Sequence, residues 1–188
     1  MNDSIENRIP EAVNLGKFNN SVMSYIFCHY KEFNELKSNG LDLETIESDR
    51  YAMGFPIPNF QRPLVWTNQQ EISLIESAWL GLPIGSFTHQ HITNGADKIE
   101  KYSGLLIDGQ QRLTTIERYI NDEFKVYGAY WSELSHREQR RFKNVKFSHY
   151  ETKFDSIDDI KNVYNIMALG GTPHTEADRV GYSKSMWN

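Results

Sequence analysis

A short apolar run that stops at Asp-Gly and restarts at helical spacing constrains this chain more tightly than any other stretch. Residues 104–120 are Gly-Leu-Leu-Ile-Asp-Gly-Gln-Gln-Arg-Leu-Thr-Thr-Ile-Glu-Arg-Tyr-Ile. Leu105, Leu106 and Ile107 suit a buried strand. From Gln110 onward, Leu113, Ile116, Tyr119 and Ile120 fall at helical spacing. Gly109 permits the sharp turn between the two elements. Asp108 is therefore expected at a strand end, facing the start of a helix.

That arrangement has a chemical use. The first amides of a helix lack partners and carry partial positive charge, so phosphate sits well there. Arg112 adds a fork of donors suited to phosphate. Asp108 can hold a divalent metal such as Mg²⁺ or accept a proton. Gln110 and Gln111 both donate and accept, which suits a base edge, a ribose or a positioned water. The same residues also fit a plainer role: Asp before a helix is a common cap, and Arg in a first turn often faces solvent. From spacing alone both readings stand.

The run Asp108-Gly109-Gln110-Gln111-Arg112-Leu113-Thr114-Thr115 resembles the signature of the GmrSD-type restriction enzyme N-terminal domain. A second block, Ile57-Pro58-Asn59-Phe60-Gln61-Arg62-Pro63-Leu64-Val65-Trp66, agrees with it, as do Leu74-Ile75-Glu76-Ser77 and Gly81-Leu82-Pro83-Ile84. The resemblance covers about residues 50 to 175. It implies an α+β fold of the ParB and sulfiredoxin type, a small mixed sheet flanked by helices. It implies a pocket shared by the two blocks, with Asp108, Gln111 and Arg112 as catalytic candidates. Gln61, Arg62, Gly109, Gln110 and Thr114 are then nucleotide- or phosphate-binding candidates. A nucleoside triphosphate becomes the expected ligand or substrate and DNA the expected partner, with NTP hydrolysis or nuclease-like chemistry in a phage or restriction context; the alternatives are a non-catalytic nucleotide or modified-DNA binding module and an interaction protein that blocks a defence complex. One departure stands out. Where the family usually carries an arginine and an asparagine before paired glycines, this chain has Ile166 and Ala168.

Other chemistries find no support. There is no glycine-rich loop ending in Lys-Ser/Thr and no Gly-x-Ser-x-Gly elbow. The single cysteine, Cys28, allows neither an internal disulfide nor a cysteine zinc site, and lies far from the motif. His89 and His91 share one strand face and suit a metal, but no third ligand lies near them in the sequence. The net charge of −5 disfavours nucleic-acid binding by the whole surface. A local patch is needed, and Arg137, Arg140, Arg141, Lys143 and Lys146 supply the densest one, relieved only by Glu138. A solvated basic face is the alternative.

Along the chain, residues 1–49 are expected as an N-terminal helical extension, 50–175 as the motif domain and 176–188 as a tail. Residues 1–16 are polar. A helix is expected from about Asn20 to Lys37, with Phe18, Val22, Tyr25, Ile26, His29, Tyr30, Phe33 and Leu36 on one stripe. That stripe either covers the core or meets a protein partner or second copy. Leu41 to Ser48 suits a short helix. Thr67 and Gln70 form a capping box before a helix with Ile72, Ile75 and Trp79 inward. Ile84 to Ile92 suits a strand, Asn94 to Tyr102 a hairpin loop and Phe124 to Tyr127 a short strand. Trp131 to Phe142 is expected helical with a Ser135/Glu138 box, and Val145 to Thr152 as a strand. Ser156 is expected to cap a last helix with Asp159, closed by Gly170 to Pro173. The N-terminus does not resemble a signal peptide, and no apolar run spans a membrane, so a cytoplasmic location is expected. Family members often continue into a helical region and a His-Asn-His-type nuclease domain. A standalone module is therefore expected, with a fragment as the alternative.

Overall fold

The computed structural model describes residues 12–39, 48–93 and 101–169. The element order is β1 (Lys17–Asn19), α1 (Ser24–Ser38), β2 (Arg50–Ala52), β3 (Phe55–Ile57), α2 (Asn68–Trp79), β4 (Phe87–Gln90) and β5 (Leu106–Asp108). Then come α3 (Gln110–Ile120), α4 (His136–Lys143), β6 (His149–Thr152) and α5 (Ile157–Leu169). Four strands form one mixed sheet in the order β1-β6-β4-β5, and β2 and β3 form a separate hairpin. The fold is α+β. The expected short helix at Leu41 to Ser48, the hairpin loop at Asn94 to Tyr102, the turn at Gly170 to Pro173 and the tail fall outside the described residues, except for Ser48, Lys101 and Tyr102.

Strand β5 shows how the sequence pattern positions the site. Alternate residues of a strand point to opposite faces. Leu106 enters the larger core with Phe55, Phe87, Leu113, Ile116 and Tyr119. Leu105 and Ile107 enter a second core with Ile160, Val163 and Tyr164 of α5. An apolar run is needed because helices cover both faces. β5 pairs antiparallel with β4, and Thr88 stands opposite Asp108.

Three helix starts are set by local chemistry. Thr67 and Gln70 cap each other's backbone amides at α2, and Ser135 and Glu138 do the same at α4. At α5, the Asp159 amide donates to Ser156 Oγ at 3.1 Å. Ile75 is buried, with Ile72 and Trp79 packed against the core.

Elsewhere the structure departs from the expected elements. The N-terminal helix starts at Ser24, not near Asn20, and Phe18 lies instead in β1. β1 pairs antiparallel with β6 across Lys17↔Glu151 and Asn19↔His149, and Phe18 packs on Tyr150 at 5.0 Å. Three residues are too few to show alternation, so β1 exists because β6 offers a free edge. Most of the α1 stripe covers the core: Met23 and Ile26 are buried, and Tyr25, Phe27 and Tyr30 pack against them. Residues 124–127 are not a strand. They form a tight turn with a lone bridge between Val126 and Ala129, because Tyr127 and Gly128 take positive φ. Trp131 to Glu133 is a 3-10 turn, and α4 proper begins only after the Ser135 cap.

Candidate functional site

The two sequence blocks meet at the C-terminal end of β5. They line a cavity of about 300 Å³ with Gln61, Arg62, Trp66 and the run Ile107 to Arg112. Tyr164, Ile166, Met167 and Ala168 of α5 close it.

The turn between β5 and α3 rests on Gly109, whose φ is +102°. A Cβ placed there would lie 2.5 Å from Phe87 Cβ. The residue therefore has to be glycine on two grounds, backbone sign and space. With glycine at the N-cap, no side chain caps α3. Its first amides remain directed at the cavity end of the helix.

Asp108 and Arg112 lie one helical turn apart and form an ion pair at 2.6 Å. The same Arg112 Nη2 donates to Ser86 O at 2.7 Å. The guanidinium is thus held on two acceptors, with Nε buried and unpartnered among the described residues. Arg62 is different. Among the described residues its guanidinium makes no hydrogen bond or ion pair, while its backbone is fixed. Its carbonyl accepts from Gln110 Nε2 at 3.1 Å, and its amide faces Tyr164 Oη at 3.5 Å.

The glutamines hold the walls. Gln61 is buried and donates from Nε2 to Leu106 O at 2.6 Å and Ile107 O at 3.2 Å. Gln111 Oε1 accepts from the Val65 and Trp66 amides, each at 3.2 Å. Arg50 donates to Gln61 O at 2.8 Å and Pro58 O at 3.3 Å. It clamps the loop that carries Arg62, a role that nothing in its sequence surroundings signals.

Of the expected site residues, Gln61, Arg62, Asp108, Gly109, Gln110, Gln111 and Arg112 are brought together. Thr114 stands one turn further along α3, outside the lining, with a buried hydroxyl unpartnered among the described residues. The basic group is on α4 and the segment after it. Arg137, Arg140 and Lys146 are exposed there, Arg141 lies over Trp79 at 4.9 Å, and Lys143 lies over Phe27 at 5.0 Å. Trp66, the last residue of the second block, joins the lining, and so do Tyr164 and Met167, whose helical spacing turns them inward but whose place at this cavity depends on how α5 packs.

The family model for the GmrSD restriction endonuclease N-terminal domain matches residues 43–180. The chain belongs to that family, and so to a restriction-endonuclease context. No curated protein and no solved structure matches it. No helix among the described residues is long and apolar enough to cross a membrane.

Proposed function

We propose that the cavity binds the phosphates of a nucleoside triphosphate and supports phosphoryl transfer, in the service of a nucleic-acid-acting system. The observation that carries this is the pairing of two arginines in one cavity, one tied and one without a side-chain partner among the described residues. Arg112 is anchored by Asp108 and Ser86, so it presents a fixed charge. The guanidinium donors of Arg62, unpaired among the described residues, are left for a ligand. Together with the uncapped amides of α3 they form an anion site.

Phosphoryl transfer needs charge stabilisation and an oriented nucleophile more than covalent help from the protein. Arg62 moves onto the transferred phosphate and stabilises charge there. Arg112 keeps Asp108 in place through one carboxylate oxygen. The second carboxylate oxygen orients the attacking water. A divalent cation of the magnesium type suits that oxygen too, since such ions bind through one carboxylate plus substrate phosphates, and it would neutralise phosphate charge. Gln111 and Gln110 hold the Arg62 loop against α3, and Gln61 holds the β5 end.

A second reading has its own support. Ile166 and Ala168 give the α5 wall an apolar lining where the resemblance leads one to expect an arginine and an asparagine. A wall of that kind suits a site that binds nucleotide without turnover. Phosphate release separates the two. Pure protein is incubated with each of the four ribonucleoside triphosphates and Mg²⁺, with and without DNA, beside Asp108→Ala. Release that is lost in the variant supports catalysis. Saturable binding without product supports the binding module. Release unchanged by Asp108→Ala contradicts the assignment of that residue.

For DNA, the exposed guanidinium groups of Arg137 and Arg140 on α4 are the proposed phosphate contacts. They supply a local positive face on an acidic chain.

A further inference from the structure

A second group of ligating side chains lies on the sheet, under α1. His89 of β4 stands opposite Glu151 of the parallel strand β6, and His149 lies two residues before Glu151 on the same face. One ligating atom from each of His89, His149 and Glu151 lies within 4.8 Å of the other two. The imidazoles are buried and Glu151 is half-buried, so the group opens to solvent on its carboxylate side.

Hydrogen bonds fix which nitrogen of each ring carries the hydrogen. His89 Nδ1 lies 2.7 Å from Gln90 O. A carbonyl only accepts, so Nδ1 carries the hydrogen and Nε2 keeps its lone pair. His149 Nδ1 lies 2.9 Å from Ser21 Oγ. That hydroxyl gives its single hydrogen to Phe147 O at 2.8 Å. Ser21 Oγ must therefore accept from His149 Nδ1–H, and His149 Nε2 keeps its lone pair as well. Glu151 is itself held, since its carboxylate bonds His91 Nδ1. Outer hydrogen bonds of this kind orient metal-bound histidines and carboxylates. Tyr25 stacks on His149 at 4.4 Å, and its hydroxyl donates to His89 Nε2 at 3.4 Å, a contact that a bound metal ion would displace.

An aromatic core accounts for His89 packing on Phe55 at 4.9 Å. It does not account for two imidazoles and a carboxylate gathered within 4.8 Å of one another, each imidazole with its Nδ1 already committed to a hydrogen bond. We propose that His89, His149 and Glu151 bind one divalent transition metal of the zinc type, tying β4 to β6 beneath α1. Two imidazoles and one carboxylate suit Zn²⁺ or Co²⁺ and disfavour Mg²⁺. His91, the histidine that the sequence pairs with His89, serves as an outer partner rather than a ligand.

The test uses the full chain, freed of metal by chelation and titrated with Co²⁺. A single equivalent should bind saturably with visible d–d bands, and Zn²⁺ should displace it. Glu151→Gln keeps the size of the side chain and should leave the circular dichroism unchanged. It should weaken Co²⁺ binding by about tenfold or more. His149→Asn should do the same, and should it fail to fold, Glu151→Gln decides alone. Changing the exposed Cys28 to Ser and His136 to Ala should have no effect. No saturable d–d spectrum from folded wild-type protein overturns the proposal. So does undiminished binding by folded Glu151→Gln.

Discussion

Gly109 shows how one residue sets the geometry of the cavity. Its φ of +102° and the 2.5 Å approach of a built Cβ to Phe87 leave no room for a side chain. Gly109→Ala should lower stability by about 3 kcal/mol, through backbone strain and overpacking together. Urea unfolding reads this directly, and a midpoint equal to wild type would contradict the turn described here. The run Asp108 to Arg112 was legible in the sequence because strand, turn and helix start are contiguous. The work of Gln61 and Gln111 was not. Their partners, Leu106 and Ile107 for one and Val65 and Trp66 for the other, are distant in sequence and meet only through the tertiary fold. The same holds for His149 and Glu151, which no spacing connects to His89.

Helices α2 and α3 are joined by a buried charge. Arg118 Nη1 donates to both oxygens of Glu71, at 2.5 and 2.6 Å, and its Nε donates to Glu123 at 2.7 Å. Glu71 is buried, so losing its partner strands a carboxylate away from bulk solvent. Arg118→Ala should cost about 3 kcal/mol. Glu71→Leu with Arg118→Met should recover most of that, because neither charge is then stranded. Equal losses in the single and double variants, measured by urea unfolding, would contradict this. On α4, Arg137→Ala with Arg140→Ala should weaken duplex DNA binding and reduce the slope of log affinity against log salt by about 2. An unchanged slope would remove α4 from the interface. Element starts were legible wherever the cap is local, as with Thr67 and Gln70, Ser135 and Glu138, and Ser156 and Asp159. β1 was not, since Lys17 to Asn19 becomes a strand only beside β6. Residues 124–127 misled because Phe124 and Val126 alternate like a strand although their backbone turns.

At the scale of the whole molecule, buried histidines couple the fold to pH. His29 packs on Phe55 at 4.0 Å, and burial lowers it from 6.5 to about 4. A depressed folded value means that its contribution is complete above pH 6.5 and lost as pH falls toward 4. The loss is on the order of 3 kcal/mol. Glu117, raised by burial, acts in the opposite sense, and its contribution falls as pH rises. His29→Phe should therefore flatten the decline in urea midpoint between pH 6.5 and about 4, and an identical decline in wild type and variant would contradict this. Helix α1 also packs into the same core as Ile57 of one motif block and Leu113 of the other, so the cavity is supported by an element that precedes both blocks. The central claim is that this cavity is a nucleotide site. The most direct measurement is isothermal titration of the four ribonucleoside triphosphates into wild type and Arg62→Ala, with Mg²⁺ present. Arg62 makes no side-chain bond among the described residues, so the variant should fold as wild type does. Wild type should bind saturably, and the variant should bind at least about tenfold more weakly, the loss of one charge-assisted contact. No binding by wild type, or equal binding by both, would contradict the account.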